Sequence, residues 1–326
     1  NNALYRQNEF GQFSRLDRNA FPDDGLYSFG GSWGDYNNDG YPDLFVANAD
    51  GNNTLYANNK DGSFSKRNRP PVTVDGGVSK GSGWADFDND GDLDLFVANN
   101  GAMFFYINDG QGSFTSIPEG QIIDYPGNSL SVAWGGGNND GAQDIFLSSY
   151  NSHSIMYKNT GNSHNWLKVK CLGRLSNESA IGVNVKAKAT INGEKKWQSH
   201  QLLAQTGHAA QGGLTVHFGL ADSPIVDSLV VVWPSGIVDV IVKAAVNQTL
   251  FIQEGSFVVP VELAKFTAET TPDGIILSWK TNSESNNFGF EVFRQITDMK
   301  LKASHGWEKI GFIPGNGTSQ TTHKYT

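Results

Sequence analysis

A single cysteine, Cys171, excludes an internal disulfide framework. No Cys-x-x-Cys pair and no Cys/His spacing of the zinc-binding kind is present. Cys171 lies in the strand-like run 167–172 and reads as a small buried hydrophobe. Positive charge is scarce as well: 24 Lys and Arg stand against 33 Asp and Glu, a formal net charge of −9. Nucleic-acid binders need basic patches, so this balance argues against that partner class. The longest apolar run, Leu229-Val230-Val231-Val232-Trp233, is far shorter than the ~20 residues of a membrane-crossing helix, and no membrane span is expected. Sustained helical periodicity is missing too. No signal segment is visible before Asn1, which reads as a processing boundary with further parts of the polypeptide expected upstream and downstream.

What the chain has instead is a repeat. Trp33, Trp84 and Trp134 recur at intervals of 51 and 50 residues, and Tyr5, Tyr56, Tyr106 and Tyr157 keep the same step. Gly62-Ser63-Phe64 and Gly112-Ser113-Phe114 follow the tyrosines, with Gly11-Gln12-Phe13 as their counterpart, so the chain begins inside a unit. Each unit contains short β-favouring runs such as Leu44-Phe45-Val46-Ala47-Asn48, divided by turns such as Asp50-Gly51-Asn52-Asn53 and Lys60-Asp61-Gly62. Four short strands in an antiparallel meander per unit predict one blade of a β-propeller. The tryptophans and tyrosines, fixed in that strand pattern, are expected in the blade cores.

Two units carry an acidic nonapeptide: Asp35-Tyr36-Asn37-Asn38-Asp39-Gly40-Tyr41-Pro42-Asp43, and Asp86-Phe87-Asp88-Asn89-Asp90-Gly91-Asp92-Leu93-Asp94. Oxygen side chains at positions 1, 3, 5 and 9, a glycine at 6 and a free carbonyl at 7 can wrap one Ca²⁺. An EF-hand would need a glutamate at position 12, where Val46 and Val97 stand, and helices on either side, where strand-like runs stand.

These residues resemble the FG-GAP or VCBS repeat, the calcium-loop blade of integrin α-subunit propellers and of many secreted bacterial proteins. Over residues 1–162 the resemblance implies Ca²⁺ ligands Asp35, Asn37, Asp39 and Asp43 with the Tyr41 carbonyl, and Asp86, Asp88, Asp90 and Asp94 with the Asp92 carbonyl. The third unit has Gly136 in place of the first aspartate, leaving Asn138, Asp140 and Asp144, so its affinity is expected to be much lower or lost. Two full calcium sites and a degenerate third are therefore expected.

From about Asn165 the repeat breaks. The landmarks of the next segment are Trp166-Leu167-Lys168-Val169, Ser176-Asn177, Ala180-Ile181-Gly182, His217-Phe218-Gly219-Leu220, Trp233-Pro234-Ser235-Gly236 and Asn247-Gln248. Residues 163–256 resemble the ASPIC/UnbV domain, which follows FG-GAP repeats in the cartilage acidic protein family. His200, His208 and His217 lack aligned carboxylate partners for a metal, and Ser235 lacks the Gly-x-Ser-x-Gly elbow of a hydrolase. Residues 259–326, with Pro260-Val261-Glu262-Leu263 and Glu284-Ser285-Asn286-Asn287-Phe288-Gly289-Phe290, resemble the fibronectin-III-like module of bacterial type IX secreted proteins. Such a sandwich needs about seven strands, and about four are readable, so a truncated module is expected.

The expected class is all-β: a partial β-propeller, a β-rich ASPIC/UnbV domain and a truncated β-sandwich. The function expected is that of a secreted or cell-surface, non-enzymatic calcium-binding protein, bacterial and extracellular, whose partner is an extracellular protein or glycan. The alternative is the accessory or catalytic portion of a secreted carbohydrate-active enzyme.

Overall fold

Asparagine and glycine turns cut the first half of the chain into short antiparallel strands. The structure is a computed structural model. It describes every residue except 1, 9–10, 18, 23–24, 121, 126, 139, 257–261, 273, 299–302, 320–322 and 326, and beyond residue 260 many side chains are outside the description. Strands β1 (Tyr5–Gln7) and β2 (Phe13–Arg15) form a two-stranded ribbon. Strands β3 (Ser28–Gly34), β4 (Asp43–Asn48), β5 (Thr54–Asn58) and β6 (Phe64–Arg67) make a four-stranded meander in that order. β7 (Ser79–Ala85), β8 (Asp94–Asn99), β9 (Phe104–Asn108) and β10 (Phe114–Ser116) repeat it. β11 (Ser129–Gly135), β12 (Asp144–Ser149) and β13 (Ile155–Tyr157) form a third sheet of three strands. Among the described residues these are consecutive blades without a closed ring.

The blades meet through their first strands. The Ser32 and Ser82 hydroxyls, at equivalent positions of β3 and β7, lie 2.7 Å apart, and the Trp84 indole N–H donates to the Ser32 carbonyl at 3.4 Å. β4 and β8 are buried along their whole length. The repeated tryptophan explains this: Trp84 meets Phe45 edge-on at 6.4 Å, and Trp134 meets Phe96 edge-on at 6.3 Å. Each tryptophan thus covers the preceding blade, and full burial of one such phenylalanine contributes about 1.5–3 kcal/mol. Phe146, the equivalent residue of β12, has no fourth tryptophan in the repeat to meet and stays 45% exposed. Tyr56 and Tyr106 lie in the blade cores as expected, whereas Tyr5 is 56% exposed. Tyr5 sits on the β1–β2 ribbon, which pairs with no inner strand among the described residues.

Beyond the blades, β14 (Asn165–Leu172), β15 (Asn184–Ile191), β16 (Glu194–Gln201), β17 (Val216–Ala221), β18 (Ile225–Val232), β19 (Val238–Ala245) and β20 (Gln248–Gln253) form two sheets, ordered β17-β14-β20 and β16-β15-β18-β19. β14 pairs with β20 in parallel; the other pairings given for these strands are antiparallel. Leu167, Val169 and Cys171 alternate into one core, and Val185, Ala187, Ala189 and Ile191 into its facing layer, as period-2 strands require.

Two compact units divide the chain: residues 1–238 with 243–254, and residues 239–242 with 255–326. The blades and, apart from residues 239–242 of β19, the two sheets after them share the first unit. The second contains β21 (Glu262–Thr271), β22 (Gly274–Asp298), β23 (Ala303–Ser319) and β24 (His323–Tyr325) in one antiparallel sheet, with β22 central. Trp279 is buried there, between the rings of Phe266 and Phe290. The run Phe257-Val258-Val259-Pro260, which its sequence marks as a linker opening this segment, lies outside the described residues. β21 and β24 pair with the first part of β22, over 274–283, and β23 pairs with its later part, over 284–298.

Candidate metal centre

Each acidic loop joins the first two strands of its blade, so a tight, reproducible turn decides where its carboxylates point. Asn38 and Asn89, at position 4, adopt φ of 53° and 60°, and Gly40 and Gly91, at position 6, adopt 88° and 96°. Two left-handed residues in five fold the loop back over its own first aspartate. Asp35 accepts from the Asp39 and Gly40 amides at 3.0 and 2.8 Å, and Asp86 accepts from those of Asp90 and Gly91 at 3.1 and 2.9 Å. The position-3 side chains of Asn37 and Asp88 accept from the same position-5 amides.

Position 9 is anchored by a residue the sequence reading missed. Asp43, Asp94 and Asp144 each accept, on Oδ1, from the amide of an asparagine two residues beyond the repeated tyrosine: Asn58, Asn108 and Asn159, at 2.8, 2.9 and 2.9 Å. The Asn108 side chain also donates to the Tyr36 carbonyl of the preceding blade's loop at 2.7 Å, and that of Asn159 to the Phe87 carbonyl at 2.8 Å. The asparagines share the tyrosine period, and that was the available signal.

In the second loop the ligand atoms of Asp86, Asp88 and Asp94 lie within 4.8 Å of one another, the one such convergence of His, Cys, Asp and Glu among the described residues. Asp90 is held slightly apart, with its Oδ1 accepting from the Asp92 amide at 3.0 Å. The Asp92 carboxylate points elsewhere, to the Asn38 amide group at 2.6 Å and to Lys196 Nζ at 3.5 Å. In the first loop Asp39 accepts from the Tyr41 amide at 3.0 Å and pairs with Lys60 at 3.4 Å, and the Tyr41 ring lies exposed beneath that ammonium.

Removing water from clustered carboxylates disfavours their charge. Burial raises Asp35 to about 6 and Asp43 to about 7. Burial, with the neighbouring Asp88 and Asp92, raises Asp90 to about 7. Asp86 and Asp94 are pushed well above the carboxylate range, by burial first. Asp43 Oδ2 is buried without a hydrogen bond of good geometry. An unsatisfied carboxylate oxygen and a convergent buried triad fit a hard cation with oxygen ligands. The first two loops pass this test on their residues.

The third loop does not. Gly136 has no side chain, and Asn138 and Asp140 bond to each other at 2.5 Å, while Asp144 accepts from the Gly137 and Asn159 amides as Asp94 does from those of Phe87 and Asn108. Strand β14 lies against this loop. Trp166 packs on Gly141, where a Cβ would overlap its indole, and the His217 ring nitrogen Nε2 is 3.0 Å from the Gly141 carbonyl. Lys168, only 4% exposed, reaches Gly136.

Strand β17 closes on the second loop in the same way. Ala221 N–H donates to the Asn89 carbonyl at 2.8 Å, and Gln198 donates to the Gly219 carbonyl at 2.7 Å. A Cβ at Gly219 would overlap Asp86 Oδ2 and lie 2.5 Å from Asn89 Cα, so only glycine fits. The sheets after residue 164 are thus seated on the acidic loops. A cavity of about 600 Å³ remains along this seam, lined among others by Trp84, Asp86, Trp134, Lys168, His200 and His217.

His217 is buried and His200 half-buried along this cavity, whereas His208 lies against Phe29 of β3, so the three form no metal cluster. Ser235 bonds Glu254, which also accepts from the Arg174, Leu175 and Ser176 amides at 2.6–2.7 Å. The Ser176 and Trp233–Gly236 landmarks are therefore two walls of one carboxylate-centred turn.

Comparison with known families gives two matches. The FG-GAP-like repeat matches residues 35–97 and again 86–147, and ASPIC and UnbV matches residues 173–258. No curated protein matches the chain. The chain is a β-rich protein that carries FG-GAP-like repeats followed by an ASPIC and UnbV domain.

Proposed function

We propose that this chain is a calcium-stabilised, extracellular ligand-binding or adhesion protein in which Ca²⁺ holds the blade loops in place and takes no part in catalysis. The observation that carries the reading is the buried convergence of Asp86, Asp88 and Asp94. Three carboxylates that close cannot all ionise without a counter-cation. In the first loop Asp35, Asn37, Asp39 and Asp43 would hold the ion, and in the second Asp86, Asp88, Asp90 and Asp94, with the Tyr41 and Asp92 carbonyls. A bound cation would supply charge neutralisation and a rigid loop.

Modest affinity suits an extracellular setting, where calcium is millimolar. We read the partner as a protein or glycan, and the segment from about residue 259 as a fibronectin-III-like display module of a secreted bacterial chain. Along the seam cavity Asp86 is engaged in its loop and His217 with Gly141, which favours a binding role over a hydrolase or lyase.

The test has two arms. Isothermal titration of the metal-free chain with Ca²⁺ should show two sites. Glycan and protein arrays probed with and without calcium should show binding that is lost on chelation. Turnover of any polysaccharide on the array would refute the non-enzymatic reading, and absence of heat on calcium addition would refute the metal assignment.

A further inference from the structure

The third loop keeps the shape of a calcium loop but not its inventory. Asp140 and Asp144 remain at positions 5 and 9, and Asn138 at position 3; position 1 is Gly136. Asp140 and Asp144 leave two negative charges, against four in the second loop from Asp86, Asp88, Asp90 and Asp94. Ca²⁺ seeks six to eight oxygen ligands, and three side chains fall short.

The space left by the missing aspartate is filled from another domain. A Cβ on Gly136 would overlap Lys168 Nζ and lie 3.3 Å from its Cε, so the ammonium stands where the aspartate side chain would begin. Lys168 is 4% exposed, its Nζ is buried with no hydrogen-bond partner, and it lies 5.3 Å from the centre of the Trp166 ring. A buried ammonium so placed requires nearby negative charge. Burial lowers the Lys168 pKa, and Asp140 and Asp144 act against burial to favour the charged form. Lys158 Nζ approaches Asp140 Oδ2 at 3.9 Å from the solvent side. Lys158 thus pairs with Asp140 directly, while Lys168 acts on both carboxylates without a direct ion pair to either.

We propose that the Lys168 ammonium is the resident cation of the third loop, that it closes this loop to Ca²⁺, and that it replaces a metal-dependent contact between blade and ASPIC/UnbV domain with a metal-independent one. This rests on the calcium reading of the first two loops for its metal count, but not for its electrostatics. Gly136 does not adopt the left-handed conformation, so its backbone accepts an aspartate once the ammonium is gone.

The full chain provides the test. Calcium stoichiometry should be two ions for the wild type, two for Gly136→Asp alone, and three for Gly136→Asp/Lys168→Ala. Three ions in the wild type, or two in a double variant with wild-type circular dichroism, would overturn the proposal. A second measurement needs no calcium. In EDTA, a double-mutant cycle between Lys168→Met and Asp140→Asn should show a coupling of about fivefold in the unfolding equilibrium constant. Strict additivity would overturn the proposal even if the wild type bound no calcium at all, whereas coupling without calcium binding would leave only the Lys168 contact standing and would overturn the exclusion of Ca²⁺ together with the metal reading.

Discussion

Gly219→Ala is the smallest change that should strike a metal loop from outside it. The added methyl would overlap Asp86 Oδ2 and sit 2.5 and 2.6 Å from Asn89 Cα and C. Ordinary carbon contacts lie at about 3.5–4 Å, so β17 and the loop must separate by roughly 1 Å. Neither side yields easily. Asn89 is backbone held by the Ala221 amide at 2.8 Å, and Asp86 is fixed by the Asp90 and Gly91 amides. Overpacking of this kind costs about 1–3 kcal/mol. In a unit of this size about 1 kcal/mol shifts the melting temperature by roughly 2–4 °C, so a fall of about 2–12 °C is expected in EDTA.

A second effect separates this from a general packing defect. Asp86 is displaced from Asp88 and Asp94, so the calcium-induced rise in melting temperature should shrink to that of the first loop alone, and titration should count one ion. Gly236→Ala is the control: φ is +90° with nothing within 4 Å of the new methyl, so it carries backbone strain without a clash. Its cost should be about 1–2 kcal/mol with both calcium ions retained. A Gly219→Ala protein that melts like the wild type and binds two ions would refute the docking of β17 on the loop.

Chelation should lower the melting temperature of the wild type and added Ca²⁺ should restore it; with a dissociation constant on the order of 10⁻⁴ M, millimolar calcium adds about 1.4 kcal/mol per site. Asp94→Asn should remove one of the two increments and leave the other. Burial lowers His200 to about 4 and His217 to about 3, below the ordinary value of 6.5. The unfolded chain then takes up protons first as pH falls, so stability is full above pH 6.5 and is lost toward pH 4 at about 1.4 kcal/mol per unit for each histidine. Urea midpoints at pH 7.5, 6 and 5 check this, and His200→Asn should flatten the slope. Burial opposes the charge of Glu254, but the Ser235 hydroxyl, the Ser176 and Arg174 amides and the Ser176 hydroxyl outweigh it and hold its pKa at about 2, below the usual 4.5. Its contribution is present above pH 4.5 and lost as pH falls toward 2, so the stability gap between wild type and Glu254→Gln should be constant from pH 8 to about 4.5 and narrow below.

The acidic loops were legible in the sequence because their information is local. Aspartates at fixed offsets from a glycine set both the turn and the ligand direction, and the strand runs on either side fix their place in a blade. Tyr56 and Tyr106 were legible for the same reason, since period and burial coincide in a complete blade. Tyr5 and Phe146 were not, because burial depends on a neighbouring element that the residue's own pattern does not contain. Gly219, Lys168 and Lys196 are harder still. Each acts on a loop more than 20 residues away in sequence, across a seam formed only when the sheets dock. A lysine or glycine in an alternating strand carries no mark of what its outer face will meet.

That seam explains why Asp92 carries a charge its loop does not use. Position 7 serves a cation through its backbone carbonyl, and Tyr41 and Ala142 occupy it in the sister loops without a carboxylate. Asp92 instead receives Asn38 from the first loop at 2.6 Å and Lys196 of β16 at 3.5 Å, the carboxylate being almost fully buried. One side chain therefore joins the first loop, the second loop and the ASPIC/UnbV sheet. A cation that stiffens either loop also fixes an end of this link, and strand β17 is seated on the same surface through Gly219. The acidic loops and the docking face are one structure, so filling the loops is expected to raise the order of the domain that follows.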